Sequence, residues 1–313
     1  MSTTKLNSDS HHIQSYGAMT PSTSYARSVS ESETDTEDLP GLPPTRRSSL
    51  SKHLDSEVDP ARATGILAAF CFMTGFIDAI SFSAVFVWCG FQTGNFVQLA
   101  LAVAKTFEGP SSTPQDTAFR NPDQHALCSF LTFLLGAFLG RIGDRIGPHK
   151  RRWLVSATFV QSLLTMAAAI TIWKSSQDSR DGPTRFSIAD ERGDPAWTHA
   201  LTFACIGFMS ASMGLQGVVA KRLNTEFAAS IVLTTVWIEL MNDPRLFHIN
   251  RSVVSRDHKL IFITAIFTGG FIARALLHQL GAAGTLGIAT GIRFLIALAW
   301  LFVPGKKGTN NPK

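Results

Sequence analysis

Beyond residue 64 the chain alternates long apolar runs with short polar breaks. Runs of membrane length fall at about 65–88, 126–142, 153–173, 198–220, 260–280 and 285–303, each near the ~20 residues a helix needs to cross a bilayer. Two shorter apolar pieces lie at 92–104 and 228–240. As helices they would rise about 20 Å, short of a hydrocarbon layer about 30 Å thick. The pattern predicts an all-α polytopic membrane protein with six full transmembrane helices and two short re-entrant or broken segments.

The runs repeat. Thr74-Gly75-Phe76 matches Met213-Gly214-Leu215 at an offset of 139, and Gly136–Arg141 matches Gly269–Arg274 at an offset of 133. A short, Thr-containing apolar piece follows the first motif in each half. Matches in the same order predict an internal duplication with halves at about 65–173 and 198–303. Three crossings per half would bring the second half into the membrane from the opposite side, the inverted repeat of many secondary transporters.

Charge then sets orientation. The stretch 141–152 packs five Lys or Arg into twelve residues, which places it in the cytosol together with 221–259 and both termini. Residues 1–64 are polar and rich in Ser, Thr and Pro, with an acidic run at 31–38. They predict a disordered cytosolic tail, with no cleavable signal at its start, and 304–313 a cytosolic C-tail. Arg46-Arg47-Ser48-Ser49 has the form of a basophilic kinase site, so Ser48 and Ser49 are candidate phosphosites and a kinase a candidate partner; a solvated charge pair reads equally well.

Hydrophobic residues make up 45% and charged residues 16% of the chain. Mean hydropathy is only +0.14 because the polar tail dilutes the apolar body. The net charge of +5 belongs to loops between spans and does not point to nucleic acid; the expected surroundings are the lipid of the plasma membrane or an endomembrane. Cys71, Cys89, Cys128 and Cys205 sit in or beside apolar runs without disulfide or metal spacing, as buried small hydrophobes do. No metal or cofactor is expected. An intramembrane aspartyl protease needs two acids sharing a proton, and nucleophile, zinc and phosphate-loop patterns are missing, so no enzyme is expected.

One stretch carries chemistry. Gly75-Phe-Ile-Asp-Ala-Ile-Ser-Phe82 continues into Phe91-Gln-Thr-Gly-Asn-Phe-Val-Gln98, and lipid offers its polar groups no partner. Asp78 is the only carboxylate deep in a full span. A charged Asp at the bilayer centre costs about 2.5–3.5 kcal/mol on insertion scales, which suits a proton- or cation-coupling group; a helix cap is the other reading. Gln92, Thr93, Gly94 and Asn95 begin the first short piece, where free helical N–H groups would cradle an anion, unless Thr93 or Asn95 caps that helix. Gln98 and Glu239 are matched across the repeat, though Glu239 lies near water. Arg293 sits within the last span and needs a partner, for which Asp78 is a candidate. Gly136, Gly140 and Gly143, and Gly287 with Gly291, are expected at close helix contacts.

Gly75–Phe82, Thr93-Gly94-Asn95 and Met213-Gly-Leu-Gln216 together resemble the YoaK-like membrane proteins, domain of unknown function 1275, over about residues 62–303; the chain reads as a eukaryotic member with an extra N-terminal tail. The resemblance implies an integral membrane protein without an established activity and adds Gln216 to the candidate site. The family's second motif usually continues Asn-Ala after this Gln, whereas Gly217-Val218 stand here, so one polar group is missing. The expected function is a secondary transporter of a small polar or anionic solute, coupled to protons. The alternative is a non-transporting scaffold or sensor regulated through its phosphorylatable tail.

Overall fold

In lipid the backbone must satisfy its own amides, and a helix does so locally. A computed structural model of the chain describes residues 49–107, 120–177, 197–223, 233–247 and 253–306, which are helical with no β-strand among them. The elements are α1 (Ser49–Asp55), α2 (Thr64–Val85), α3 (Gln92–Lys105), α4 (Asn121–Gly140), α5 (Ile142–Ile146), α6 (Arg151–Gln177), α7 (Ala200–Leu223), α8 (Leu233–Met241) and α9 (Val254–Ala299). Among the described residues five helices are long and apolar enough to cross a membrane: α2, α4 continuing to Ile146, α6, α7 and α9.

The last of these is 46 residues long, about 69 Å if straight, more than twice the hydrocarbon thickness. It is not straight. Gly281 has φ 70° and ψ 179°, a conformation open in practice only to glycine. Phe70 and Gly75, five residues apart on α2, meet Trp300 and Ile266 respectively, which a continuous helix would hold about 50 Å apart. Helix α9 therefore folds back at Gly281, and its two limbs correspond to the apolar runs read at 260–280 and 285–303.

The two central helices are α2 and α7, with 67% and 72% of their apolar stretches buried inside the chain against 28–39% for α4, α6 and α9. Outward faces are apolar, as Leu131, Leu134, Leu135 and Phe138 on α4 and Phe267 and Phe271 on α9 show. Water would penalise such a surface and lipid does not. The protein is membrane-embedded.

Register follows from side-chain pairs. His125 meets Thr202, Ser129 meets Ser210 and Asp144 meets Arg222, so α4 and α7 run parallel. Gln161 meets Arg293, Ser162 meets the Thr290 carbonyl and Arg151 meets the Trp300 carbonyl, so α6 and the last limb of α9 run antiparallel. Four glycines set the closest approaches. A Cβ on Gly75 would lie 2.0 Å from the Ile266 oxygen, and one on Gly269 would lie 2.1 Å from the Phe72 oxygen. Across the molecule, a Cβ on Gly214 would lie 2.1 Å from the Phe133 oxygen, and one on Gly136 would lie 2.0 Å from the Ala211 oxygen. Positions 75, 72, 266 and 269 map onto 214, 211, 133 and 136 by the offsets of 139 and 133 read from the sequence. Gly140 packs on Val218 and Gly143 on Trp153, as expected. Gly287 and Gly291 do not meet that expectation: a Cβ at either finds nothing within 4 Å.

The tail expected through residue 64 ends earlier than its composition suggests. Residues 49–64 fold as α1 and a short turn at Pro60–Arg62 capped by Asp59, and Val58 is buried. The cause is Arg151, almost fully buried at the start of α6. Its guanidinium donates to the carbonyls of His53 (2.9 Å), Trp300 (3.2 Å) and Val303 (2.6 Å) and to Ser56 Oγ (2.6 Å). Backbone bonds from Asp59 to Pro304 and from Lys306 to Glu57 bring the start of the expected C-tail into the same junction. The acidic run, Ser48 and residues 307–313 lie outside the described residues; Ser49 opens α1.

Candidate functional site

The site begins where α2 ends. Phe86 adopts φ 58°, a left-handed conformation costing a non-glycine residue roughly 1–2 kcal/mol, and it turns the chain back alongside α2. Trp88 stacks on Phe82 with centroids 4.1 Å apart and packs edge-on to Phe91. The loop then reaches Asp78, whose Oδ1 accepts the amide N–H groups of Cys89 and Gly90, both at 2.7 Å. Asp78 lies seven residues before the end of α2, about 10 Å below it. Helix α3 thus starts deep and climbs back, with Gln92 against Ser129 and Gln98 against Asp123. It runs back alongside α4 and does not continue α2.

Asp78 is 1% exposed and has no ion pair with any described residue. The Phe91 amide is directed at the same carboxylate, yet Oδ2 completes no hydrogen bond. A side chain at Gly90 would come within 3.0 Å of that oxygen and 3.2 Å of Met213 Cε, so glycine is what allows the loop to press on the carboxylate.

The structure brings some of the expected residues together and separates others. Asn95 is fully buried, and its amide is spent on the loop: Oδ1 accepts Trp88 N–H at 3.1 Å, while Nδ2 donates to the Trp88 carbonyl, Gln92 Oε1 and Ser129 Oγ. Gln92 Nε2 donates to the Cys89 carbonyl at 2.8 Å. Both clamp the 86–91 loop. Thr93 and Gly94 are exposed on the outer side of α3, away from Asp78, so the four do not form one cradle. Gln216 is fully buried and donates to the Phe70 carbonyl and to Thr74 Oγ1, each at 3.0 Å, one helical turn from Asp78. Arg293, 1% exposed, is not paired with Asp78. Its Nη1 donates to Gln161 Oε1 at 2.6 Å and its Nη2 lies 3.3 Å from Met213 Sδ. Glu239 sits half-exposed beside Lys259.

Three polar participants, Ser129, Gln161 and Ser210, are not singled out by the sequence, and Met213 enters there only as the first residue of a motif. Each of the polar three interrupts an apolar run, a signal that marks a functional candidate in lipid but is weaker for a hydroxyl or amide than for an acid. Among the described residues no group of His, Cys, Asp and Glu is arranged to hold a metal ion.

The family model described as "Protein of unknown function (DUF1275)" matches residues 66–299. The chain belongs to the DUF1275 family. The match covers α2 through α9 and leaves α1 outside, so Asp78, the 86–91 loop and Arg293 all lie within the DUF1275 body. Comparisons with curated proteins and with solved structures give no match.

Proposed function

We propose that this DUF1275 protein is a secondary carrier of a small polar or anionic solute, coupled to protons through Asp78, and not an enzyme. The observation that carries the reading is a buried, unpaired carboxylate held at the tip of a re-entrant segment inside a membrane bundle. Such a group costs several kcal/mol when charged and is retained in membrane helices chiefly at ion and proton pathways. Protonation at Oδ2 removes the charge and deprotonation restores it, so solute occupancy and proton uptake become linked.

The paired glycine crossings support the accompanying architecture: six crossings, α2, α4, α6, α7 and the two limbs of α9, with α3 and α8 as the short segments of two inverted halves. Broken segments meeting near the midplane are the usual binding floor of that plan. The basic 141–152 stretch, α1 and the chain after Trp300 gather at one end of the bundle, which is assigned to the cytosol. The scaffold or sensor alternative draws on the same end, where Arg151 joins the arm bearing Ser49 to the bundle.

The test uses protein reconstituted in vesicles, with proton uptake followed by a trapped pH dye under inward gradients of a solute panel. Asp78→Asn mimics the neutral form, so it should insert normally and lose the pH dependence of turnover. A correctly inserted variant that keeps the full pH response would make Asp78 structural and end the coupling mechanism.

A further inference from the structure

Four buried polar atoms in the centre of the bundle complete no hydrogen bond, and they fall into two chemical kinds. Asp78 Oδ2 and Gln216 Oε1 are acceptors without donors; Arg293 Nε and Gln161 Nε2 are donors without acceptors. All four residues are at most 1% exposed. Unmade hydrogen bonds of this sort are rare inside folded proteins, because each leaves a full desolvation penalty standing.

Asp78 and Arg293 lie toward opposite ends of one side chain. Met213 Sδ lies 3.3 Å from Arg293 Nη2, and Met213 Cε lies against Gly90, where a Cβ would be 3.2 Å away and 3.0 Å from Asp78 Oδ2. Thr74 connects Gln216 to the acid side, and Gln161 bonds Arg293 on the basic side. The carboxylate and the guanidinium have opposite charges and share the core, yet a thioether stands between them. Methionine is unbranched, has three rotatable bonds and accepts hydrogen bonds only weakly, so it fills the gap without satisfying either side and can leave it by rotation alone.

We propose that this pair of half-satisfied clusters is a binding site for a small zwitterion carrying an ammonium and a carboxylate, as an amino acid does, with Met213 displaced when it binds. The ammonium donates to Asp78 Oδ2 and Gln216 Oε1. The carboxylate accepts from Arg293 Nε and Gln161 Nε2, the charge-assisted pairing that guanidinium favours. A plain anion would leave the acid side unpaired, and a plain amine would leave the basic side so. This narrows the solute class and rests on the carrier reading for why the closed bundle opens, whereas binding itself can be read without transport.

The experiment is thermal unfolding of the full-length protein in detergent with glycine, β-alanine and 4-aminobutanoate, against propylamine, propionate and both together as single-charge controls. At saturation at least one amino acid should raise the midpoint by roughly 3–6 °C while the controls do little. Arg293→Met should abolish the shift. Because that variant loses a buried cation and its partners, Gln161→Glu is the decisive second one. It places a carboxylate against Arg293, so it should fold at least as stably as wild type and still lose the amino-acid shift. An equal shift with propionate alone, a shift that survives Gln161→Glu, or no shift with any amino acid overturns the proposal. Flux of a plain carboxylate that depends on Asp78 would remove the zwitterion and keep the carrier. A Gln161-dependent shift without flux of any solute would keep the site and remove the carrier.

Discussion

Replacing Gly75 with Ala tests whether the glycine crossings hold the bundle together. The new Cβ would sit 2.0 Å from the Ile266 carbonyl oxygen, whereas ordinary contact begins near 3.4 Å. The obstacle is backbone, so no side chain can swing aside and α2 must part from α9 by more than an ångström. Overpacking of this kind costs about 1–3 kcal/mol, and breaking the Cα–H···O bond to that carbonyl costs about 0.5–1 more. Better helix propensity returns about 1 kcal/mol, leaving a net loss of about 0.5–3 kcal/mol. Gly287→Ala is the control, because a Cβ there meets nothing within 4 Å and only the propensity gain remains. The two variants should therefore differ by about 1.5–4 kcal/mol, or roughly 3–15 °C in the unfolding midpoint of detergent-solubilised protein. Gly214→Ala, at the matched crossing of α7 with α4, should fall beside Gly75→Ala. Equal midpoints for Gly75→Ala and Gly287→Ala would refute the close-packing account, and a neutral Gly214→Ala would break the equivalence of the halves.

Asn95→Ala should destabilise by about 1–3 kcal/mol by leaving Trp88 and Ser129 with unmade bonds, and hydrogen exchange should rise first at residues 88–91; unchanged protection there would mean the clamp is unimportant. Arg151→Ala should cost about 2–4 kcal/mol through the loss of its bonds to three carbonyls, and trypsin should then cut at Lys52 or Arg62 in the variant but not in wild type. A cysteine placed at residue 148 should react with impermeant reagents only after the cytosolic face is exposed; labelling from outside intact cells would invert the assigned orientation.

Helix positions are legible because apolar run length sets them. The runs at 65–88, 153–173 and 198–220 correspond to Thr64–Val85, Arg151–Gln177 and Ala200–Leu223. The shorter run at 92–104 likewise corresponds to Gln92–Lys105. Asp78 is legible for a related reason, since an acid in a span is costly wherever it points. Side-chain direction is not legible. Thr93 and Asn95 are two residues apart and equally polar, but the helix turns one outward and buries the other, and only the path of the 86–91 loop decides which. Arg293 pairs with Gln161 across 132 residues, an interaction no local pattern encodes. The folding of the arm at 49–64 escapes a reading by composition, because its polar residues conceal two buried apolar ones, Val58 and Ala63, and a cation on another helix needs the His53 carbonyl.

The Arg151 junction also constrains how the protein is made. Its guanidinium enters the membrane boundary with α6, yet two of its acceptors, Trp300 and Val303, lie about 150 residues further along the chain. Gly75 likewise waits for Ile266. The first half therefore leaves the translocon with a closely fitting helix face that stays uncovered until the first limb of α9 arrives, and with a cation that lacks two acceptors until the chain has passed Val303. Completion of the C-terminus should then act as a checkpoint on the N-terminus: a chain truncated before residue 300 should insert its early helices and still be recognised as unfinished, with rapid turnover in pulse-chase as the readout and wild-type turnover as the refuting result.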